Sequence, residues 1–276
     1  MDILQNTTLE ETLPWLLFKL NEQVFAINSG NIETIFQLDQ TVSPMPDMPT
    51  SMRGIINLRG KIVPLVELRI VLGMNSFSVE QEEFDNMLEL RKQDHIHWVN
   101  ELKSSLEENR DFTLSTDPHQ CAFGKWYDNY KTNNQTIQYH LNKINDPHTM
   151  LHQSAISAIN CKQSKDKGEQ INCIKDVVEK ETMTSMGEVI SLLDETKDMF
   201  KESIKEMCIV LNKDDRRLGL IVDEVIAVEN LNLIAKTDDF SSTFSTSLIT
   251  QVAQSSSTVK QVLVIDENEL FGMLAE

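Results

Sequence analysis

Gly54-Ile55-Ile56-Asn57-Leu58-Arg59-Gly60-Lys61-Ile62-Val63-Pro64-Leu65-Val66 reads as strand, turn, strand. Two apolar, β-branched runs flank Arg59-Gly60, and Gly60 supplies a permissive backbone at the tight turn. Upstream, Trp15–Leu20 and Val24–Ile27 are apolar runs separated by the polar turn Asn21-Glu22-Gln23, a hairpin-like pair. Apolar residues at 32, 35 and 36 suit one short helix over Asn31–Phe36, and Pro44, Pro46 and Pro49 mark a loop. Glu67–Gly73 closes this section as a short helix or turn. Strand patterning returns at Met207–Leu211, Leu218–Val225 and Gln261–Asp266, ahead of Leu270–Leu274.

The chain between these sections reads as helix. Phe84, Met87, Leu88, His95, Trp98, Val99, Leu102 and Leu106 form a stripe at helical spacing. Asp111–His119 reads as a loop, and Cys121–Tyr130 and Gln135–Ile144 as shorter helices. Asp146-Pro147 has the residues of a helix start, Asp as N-cap and Pro at the first helical position. Polar residues dominate 161–169, where Gly168 can break or bend the helix. A long stripe from Ile171 to Met207 then predicts a helix of about ten turns ending near residue 206. The order is thus β-rich, α, β-rich. Neither β-rich piece would bury much core alone. The expectation is a multidomain α+β chain: one β domain made of residues 12–76 and 207–276, interrupted by a helical insert at 77–206.

All six histidines fall between residues 95 and 152. His148 and His152 are four apart, one turn apart on a single helix face. Cys121 adds a thiol and His95 a third imidazole, a Cys-His₃ set that suits tetrahedral Zn²⁺. Cys121 opens its helix, where the N-terminal amides favour the thiolate. His97, His119 and His140 are spares, with His119, two before Cys121, the best substitute ligand. The four cysteines, at 121, 161, 173 and 208, lack disulfide-framework spacing. They are expected as thiols, with Cys161, Cys173 and Cys208 as small apolar fillers.

The chain has 276 residues, is 40% hydrophobic and 6% aromatic, and carries a formal net charge of −18. That charge argues against nucleic acid and anionic membrane surfaces as partners. No run approaches the roughly 20 apolar residues that span a bilayer. Met1-Asp2-Ile3-Leu4-Gln5 lacks the basic and apolar regions of a signal peptide, so a cytoplasmic location is expected.

The flanking sections resemble the CheW adaptor family of bacterial chemotaxis. The resembling residues are the opening strand pair, Pro46-Asp47-Met48-Pro49, the run Arg53–Arg69 with its Gly-x-x-Asn-x-Arg-Gly-x-x-x-Pro string, Leu72-Gly73, and Leu218–Val225. Glu67 departs from the aspartate usual there. The resemblance implies a pair of intertwined five-stranded SH3-like β-barrel subdomains. It also implies a non-catalytic adaptor that bridges the cytoplasmic tips of chemoreceptors to the regulatory domain of the histidine kinase CheA within receptor arrays. Arg59 matches the family's motif arginine, and Asn57 flanks the same turn, so both are candidate partner-binding residues.

The helical section resembles the chemoreceptor zinc-binding domain, called CZB, through Asp94-His95-Ile96-His97-Trp98, Cys121-Ala122-Phe123-Gly124-Lys125-Trp126 and His148-Thr149-Met150-Leu151-His152. The resemblance implies an all-α helical bundle, with zinc on His95, Cys121, His148 and His152. It further implies sensing of zinc availability or of oxidants such as hypochlorite, through oxidation of Cys121. The long helix leads into the strand at Cys208, which gives a route from the insert to the adaptor. Two rivals stand beside this reading: an adaptor with a purely structural zinc, and a phosphotransfer bundle using His97 or His140. A zinc enzyme is disfavoured because four protein ligands leave no open position. The apolar stripe can close the bundle or pair two copies into a homodimer.

Overall fold

The computed structural model describes residues 14–132, 134–236, 248–255 and 261–272. The N-terminal residues on which the signal-peptide expectation rests lie outside that set, as do Thr12 and Leu13 of the expected first domain and Met273 and Leu274 at the end. The chain divides into two units: residues 1–76 with 205–276, and residues 77–204.

The first unit is built on two sheets. The strands are β1 (Trp15–Leu20), β2 (Gln23–Asn28), β3 (Ile32–Gln37), β4 (Met52–Leu58), β5 (Lys61–Glu67), β6 (Met207–Lys213), β7 (Arg216–Val222), β8 (Glu224–Glu229), β9 (Leu231–Lys236), β10 (Ile249–Ser255) and β11 (Gln261–Ile265). One sheet has six strands in the order β8-β1-β2-β11-β10-β9, and the other five in the order β3-β6-β7-β5-β4. The six-stranded sheet is one strand larger than the resemblance implies. Each sheet mixes strands from before and after the helical section. Parallel pairing of β2 with β11 and of β5 with β7 ties the two chain segments together.

Leu58 pairs with Lys61, leaving the two-residue loop Arg59-Gly60 with φ of 52° and 82°. Asp214-Asp215 makes the same kind of connection between β6 and β7, with φ of 52° and 60°. Both central residues at positive φ give a turn whose twist matches that of the flanking strands. Alternate strand residues fill the core, among them Leu16, Phe18, Phe25, Ile209 and Leu220, and Phe271 joins them from the C-terminal helix Glu267–Gly272. The structure overturns the helix expected over Asn31–Phe36. Ser29–Asn31 is a single 3₁₀ turn, and Ile32–Gln37 is a strand paired with β6. The apolar spacing fitted a helix, but Ile32, Thr34 and Ile35 are β-branched and a waiting edge decides the outcome. β9 and the largely polar β10 were not anticipated.

The second unit is helical: α2 (Phe77–Glu107), α3 (Ala122–Asn129), α4 (Gln135–Cys161), α5 (Lys167–Asp176) and α6 (Met183–Ser203), following the short α1 (Leu68–Val71) of the first unit. Leu88, Leu102, Phe123, Ile137, Leu141, Ile144, Leu151, Val189 and Leu193 form its core. Two sequence expectations fail here. Asp146-Pro147 does not start a helix: α4 begins at Asn134, whose side chain accepts from the amides of Thr136 and Ile137, and it runs through Pro147. The lost backbone bond at Pro147 is outweighed by a continuous buried face, Leu141, Ile144, His148, Leu151, His152 and Ala155. The long C-terminal helix is also interrupted, by a π-helical turn at Val177–Thr182.

The third correction concerns the cysteines. Cys161 and Cys173 are not separate apolar fillers but form a disulfide across the turn between α4 and α5, with Cα atoms 5.7 Å apart. Reversal of the chain at Lys162–Asp166 brings the end of one helix beside the next, a juxtaposition that spacing alone does not reveal. Cys121 and Cys208 are free, and Cys208 is buried as expected.

Candidate metal centre

The centre is assembled from three helices. α2 supplies His95, the start of α3 supplies Cys121, and α4 supplies His148 and His152. One ligand atom from each of the four lies within 4.8 Å of the others. The three histidines are 0–5% exposed, and Cys121 is half-buried. His97, His119 and His140 stand outside this group. His119 is exposed, and its Nδ1 meets Asp128 at 3.0 Å.

Two backbone carbonyls orient the imidazoles. His95 Nδ1 lies 2.7 Å from the carbonyl oxygen of Arg91, one turn back on α2. His152 Nδ1 lies 3.2 Å from that of Ser115. A carbonyl can only accept, so each Nδ1 carries the proton and each Nε2 presents a lone pair. Both Nε2 atoms are buried without a hydrogen-bond partner. An orphaned buried acceptor is costly, and two aimed at one thiol and a third imidazole are what a metal would satisfy. His148 Nε2 lies 3.3 Å from Cys121 Sγ. The donor set of three nitrogens and one sulfur suits Zn²⁺.

The surrounding residues fix this geometry. Cys121 is the N-cap of α3, its Sγ accepting the Gly124 amide at 3.1 Å and donating to the Pro118 carbonyl at 3.2 Å. Gly124 is required there: a Cβ would fall 1.9 Å from the Pro118 carbonyl oxygen. The close approach is to the preceding loop. Phe123 and Trp98 wall the histidines, with ring centroids 4.9 Å from His148 and 4.7 Å from His152 respectively. Trp98 Nε1 donates to the Ser115 carbonyl at 2.9 Å, so one loop residue holds both the wall and a histidine. Backbone carbonyls leave no mark in a sequence, and the roles of Arg91, Ser115 and Pro118 were therefore missed.

Burial sets the protonation. It pushes His148 down to about 3 and His152 to about 4, with the neighbouring His95 adding repulsion, and it lowers His95 too. The imidazoles are thus neutral at pH 7, the form that binds metal. The thiol of Cys121 runs against the sequence expectation. Burial raises its pKa, and the opposing amides of Gly124 and Phe123 do not overcome that. A cleft of about 250 Å³, lined by His95, Trp98, Ser115, Cys121 and Phe123 among others, reaches the centre.

Comparison with known proteins bears directly on these two units. Residues 14–95 match the CheW-like domain and residues 95–159 match the chemoreceptor zinc-binding domain, a span that includes all four clustered residues. The chain carries both domains. The chain is 32% identical to the Chemotaxis protein CheW of Thermotoga maritima over 79 residues, 29% of this chain and 50% of that one. It is 34% identical to a Probable chemotaxis protein CheW of Rhizobium etli over 59 residues, 21% of this chain and 37% of that one. It spans half the length or less of these curated relatives. The scaffolding protein TtCheW of Thermoanaerobacter tengcongensis, a solved structure, aligns with 12% identity and a TM-score of 0.39 over 92% of this chain and 89% of that one.

The candidate partner-binding residues of the CheW-like domain sit on the β4–β5 turn. Arg59 and Asn57 are exposed, and the Asn57 side chain accepts the Gly60 amide at 2.8 Å, closing the turn beneath Arg59. Among the described residues no helix is long and apolar enough to cross a membrane.

Proposed function

We propose that the chain is a non-catalytic cytoplasmic adaptor that links chemoreceptor tips to the regulatory domain of the kinase CheA, interrupted at 77–206 by a zinc-thiolate sensory module. The observation that carries the module is the buried three-histidine, one-cysteine cluster with two unpartnered Nε2 atoms. His95, His148 and His152 hold the ion, and Cys121 is the ligand that responds. Its position on the cleft gives an oxidant such as hypochlorite a path to the sulfur. The adaptor reading is supported by the CheW-like domain match and by the exposed Arg59 at the head of its hairpin.

Zinc supplies a Lewis acid that keeps the bound sulfur deprotonated. The chain contributes neutral imidazoles, of which His95 and His152 are fixed by the Arg91 and Ser115 carbonyls, and a wall of Phe123 and Trp98. The deciding experiment is elemental mass spectrometry of the purified protein and of Cys121→Ser. About one zinc per chain in the parent and a marked loss in the variant support the module. Hypochlorite titration with a colorimetric zinc chelator then separates sensing from a structural role: release at near-stoichiometric oxidant supports sensing, and retention of zinc overturns it. For the adaptor, Arg59→Ala should weaken capture of the CheA regulatory domain while leaving zinc content unchanged.

A further inference from the structure

The helical unit holds a pair of cysteine sulfurs that the metal cluster does not use. Cys161 ends α4 and is 7% exposed. Cys173 lies on α5 and is exposed. Their Cα separation of 5.7 Å lies in the range that a disulfide spans without backbone movement, so the bond can open and close in place.

α5 leans on that bond at its exposed end. It is the first ten residues of a helical run that continues through the π turn into α6, and none of those ten is buried. The free end of such a run frays readily where few tertiary contacts hold it. Its polar anchors are local: Asp166 caps the amides of Gly168 and Glu169, Gln170 donates to the Lys162 carbonyl at 3.1 Å, and Ser164 donates to Glu169 at 3.2 Å. These reach only the connecting turn, and Lys175 and Asp176 pair only with Glu179 and Lys180 of the adjoining π turn. Ile171 is 64% exposed, and Ile174 touches the bundle core only as a partly buried neighbour. The disulfide alone joins the middle of α5 covalently to α4.

We infer that Cys161 and Cys173 form a reversible thiol–disulfide switch, separate from the metal cluster, that docks α5 on the bundle when oxidised and releases it when reduced. A peroxide is the oxidant class. The exposed Cys173 thiolate attacks a peroxide oxygen, the O–O bond breaks, and Cys173 becomes a sulfenic acid as water leaves. The Cys161 thiol then attacks that sulfur, the S–S bond forms, and a second water departs. Glutathione reverses the change: its thiolate attacks the exposed Cys173 sulfur, Cys161 leaves as thiolate and takes a proton, and a second glutathione resolves the mixed disulfide as glutathione disulfide. Access to Cys173 and shelter of Cys161 set which sulfur is attacked in both directions.

The test uses the full-length, zinc-loaded protein equilibrated across a series of reduced and oxidised glutathione ratios without denaturant. Thiols are counted by alkylation and mass measurement after an acid quench. Two alkylated cysteines, Cys121 and Cys208, are expected in the oxidised form, and four in the reduced form. Amide exchange over 167–176 should rise by about tenfold or more on reduction, while zinc content and exchange over 148–158 hold. Cys173→Ser, an exposed and conservative change, should show the fast exchange in both buffers. A bond that glutathione opens only after unfolding would overturn the switch, as would equal α5 exchange in the oxidised, reduced and Cys173→Ser forms.

Discussion

The two units each bury a polar cluster, and they solve the problem of burial differently. In the β unit, Arg69 is 5% exposed and meets Asp223 through two hydrogen bonds, at 2.7 and 2.6 Å. Arg53 likewise bridges Glu67 and Glu206, the latter at 2.7 and 3.0 Å. In each case donor meets acceptor within the chain. In the helical unit, His95 and His152 keep one nitrogen each protonated against a carbonyl and leave the other bare. A cluster that satisfies itself is architecture. One that leaves lone pairs aimed at a common point is built for something the chain does not contain.

The sharpest way to break this contrast is to remove the metal. A site loaded a thousandfold above its dissociation constant adds about 4 kcal/mol to the folded state. A strong chelator should therefore lower the melting transition of the helical unit by several degrees and leave the β unit unmoved, as read by calorimetry on the whole chain. Unchanged transitions in zinc-loaded and stripped protein would make the histidine cluster ordinary core. The self-satisfied cluster offers the mirror experiment. Arg69→Ala leaves the partly buried Asp223 with the Asn21 amide but without its guanidinium, a loss of about 1.5–3 kcal/mol in urea titrations that follow the β unit. Zinc stoichiometry should stay that of the parent.

The contrast also explains what the sequence disclosed. The Arg59-Gly60 hairpin was legible because a turn requirement and two apolar runs agree locally. The four clustered donors were legible because cysteine and histidine are rare and their spacing is informative. What escaped notice depends on partners distant in sequence. Ile32–Gln37 becomes a strand because β6, some 170 residues later, offers an edge. Pro147 sits inside α4 because the buried face on both sides of it outweighs one lost hydrogen bond. The Cys161–Cys173 bond depends on a chain reversal whose geometry no spacing rule encodes. The thiol of Cys121 was misjudged for a related reason: helix position is visible in sequence, but burial, which dominates, is not.

pH sharpens the comparison in the metal-free protein. His148 and His152 titrate near 3 and 4 when folded, against about 6.5 when unfolded. The unfolded chain therefore binds more protons between those values, and stability rises with pH. The stabilisation is present above pH 6.5 and drains as pH falls toward 4. Each histidine should lose about 1.4 kcal/mol for each pH unit below 6.5. Thermal melts of stripped protein at pH 7.5, 6.5 and 5.5 should show the loss in the helical unit first, and His152→Gln should flatten it. A pH-independent helical transition would mean that the imidazoles reach water.

The smallest expected effect tests the edge of the cluster. His119 lies two residues from Cys121, close enough in sequence to compete for the metal, yet it is exposed and its Nδ1 faces Asp128. An exposed pair of this kind contributes about 0–1 kcal/mol, so His119→Ala should shift stability by no more than that. Its zinc content should match the parent's, whereas His95→Ala should lose most of the metal. The two substitutions remove the same imidazole from the same helical unit, and only one takes away a lone pair held by a backbone carbonyl toward the common point. Loss of zinc from His119→Ala with retention in His95→Ala would reassign the fourth ligand to the loop. The bare Nε2 of His95 would then need some other partner.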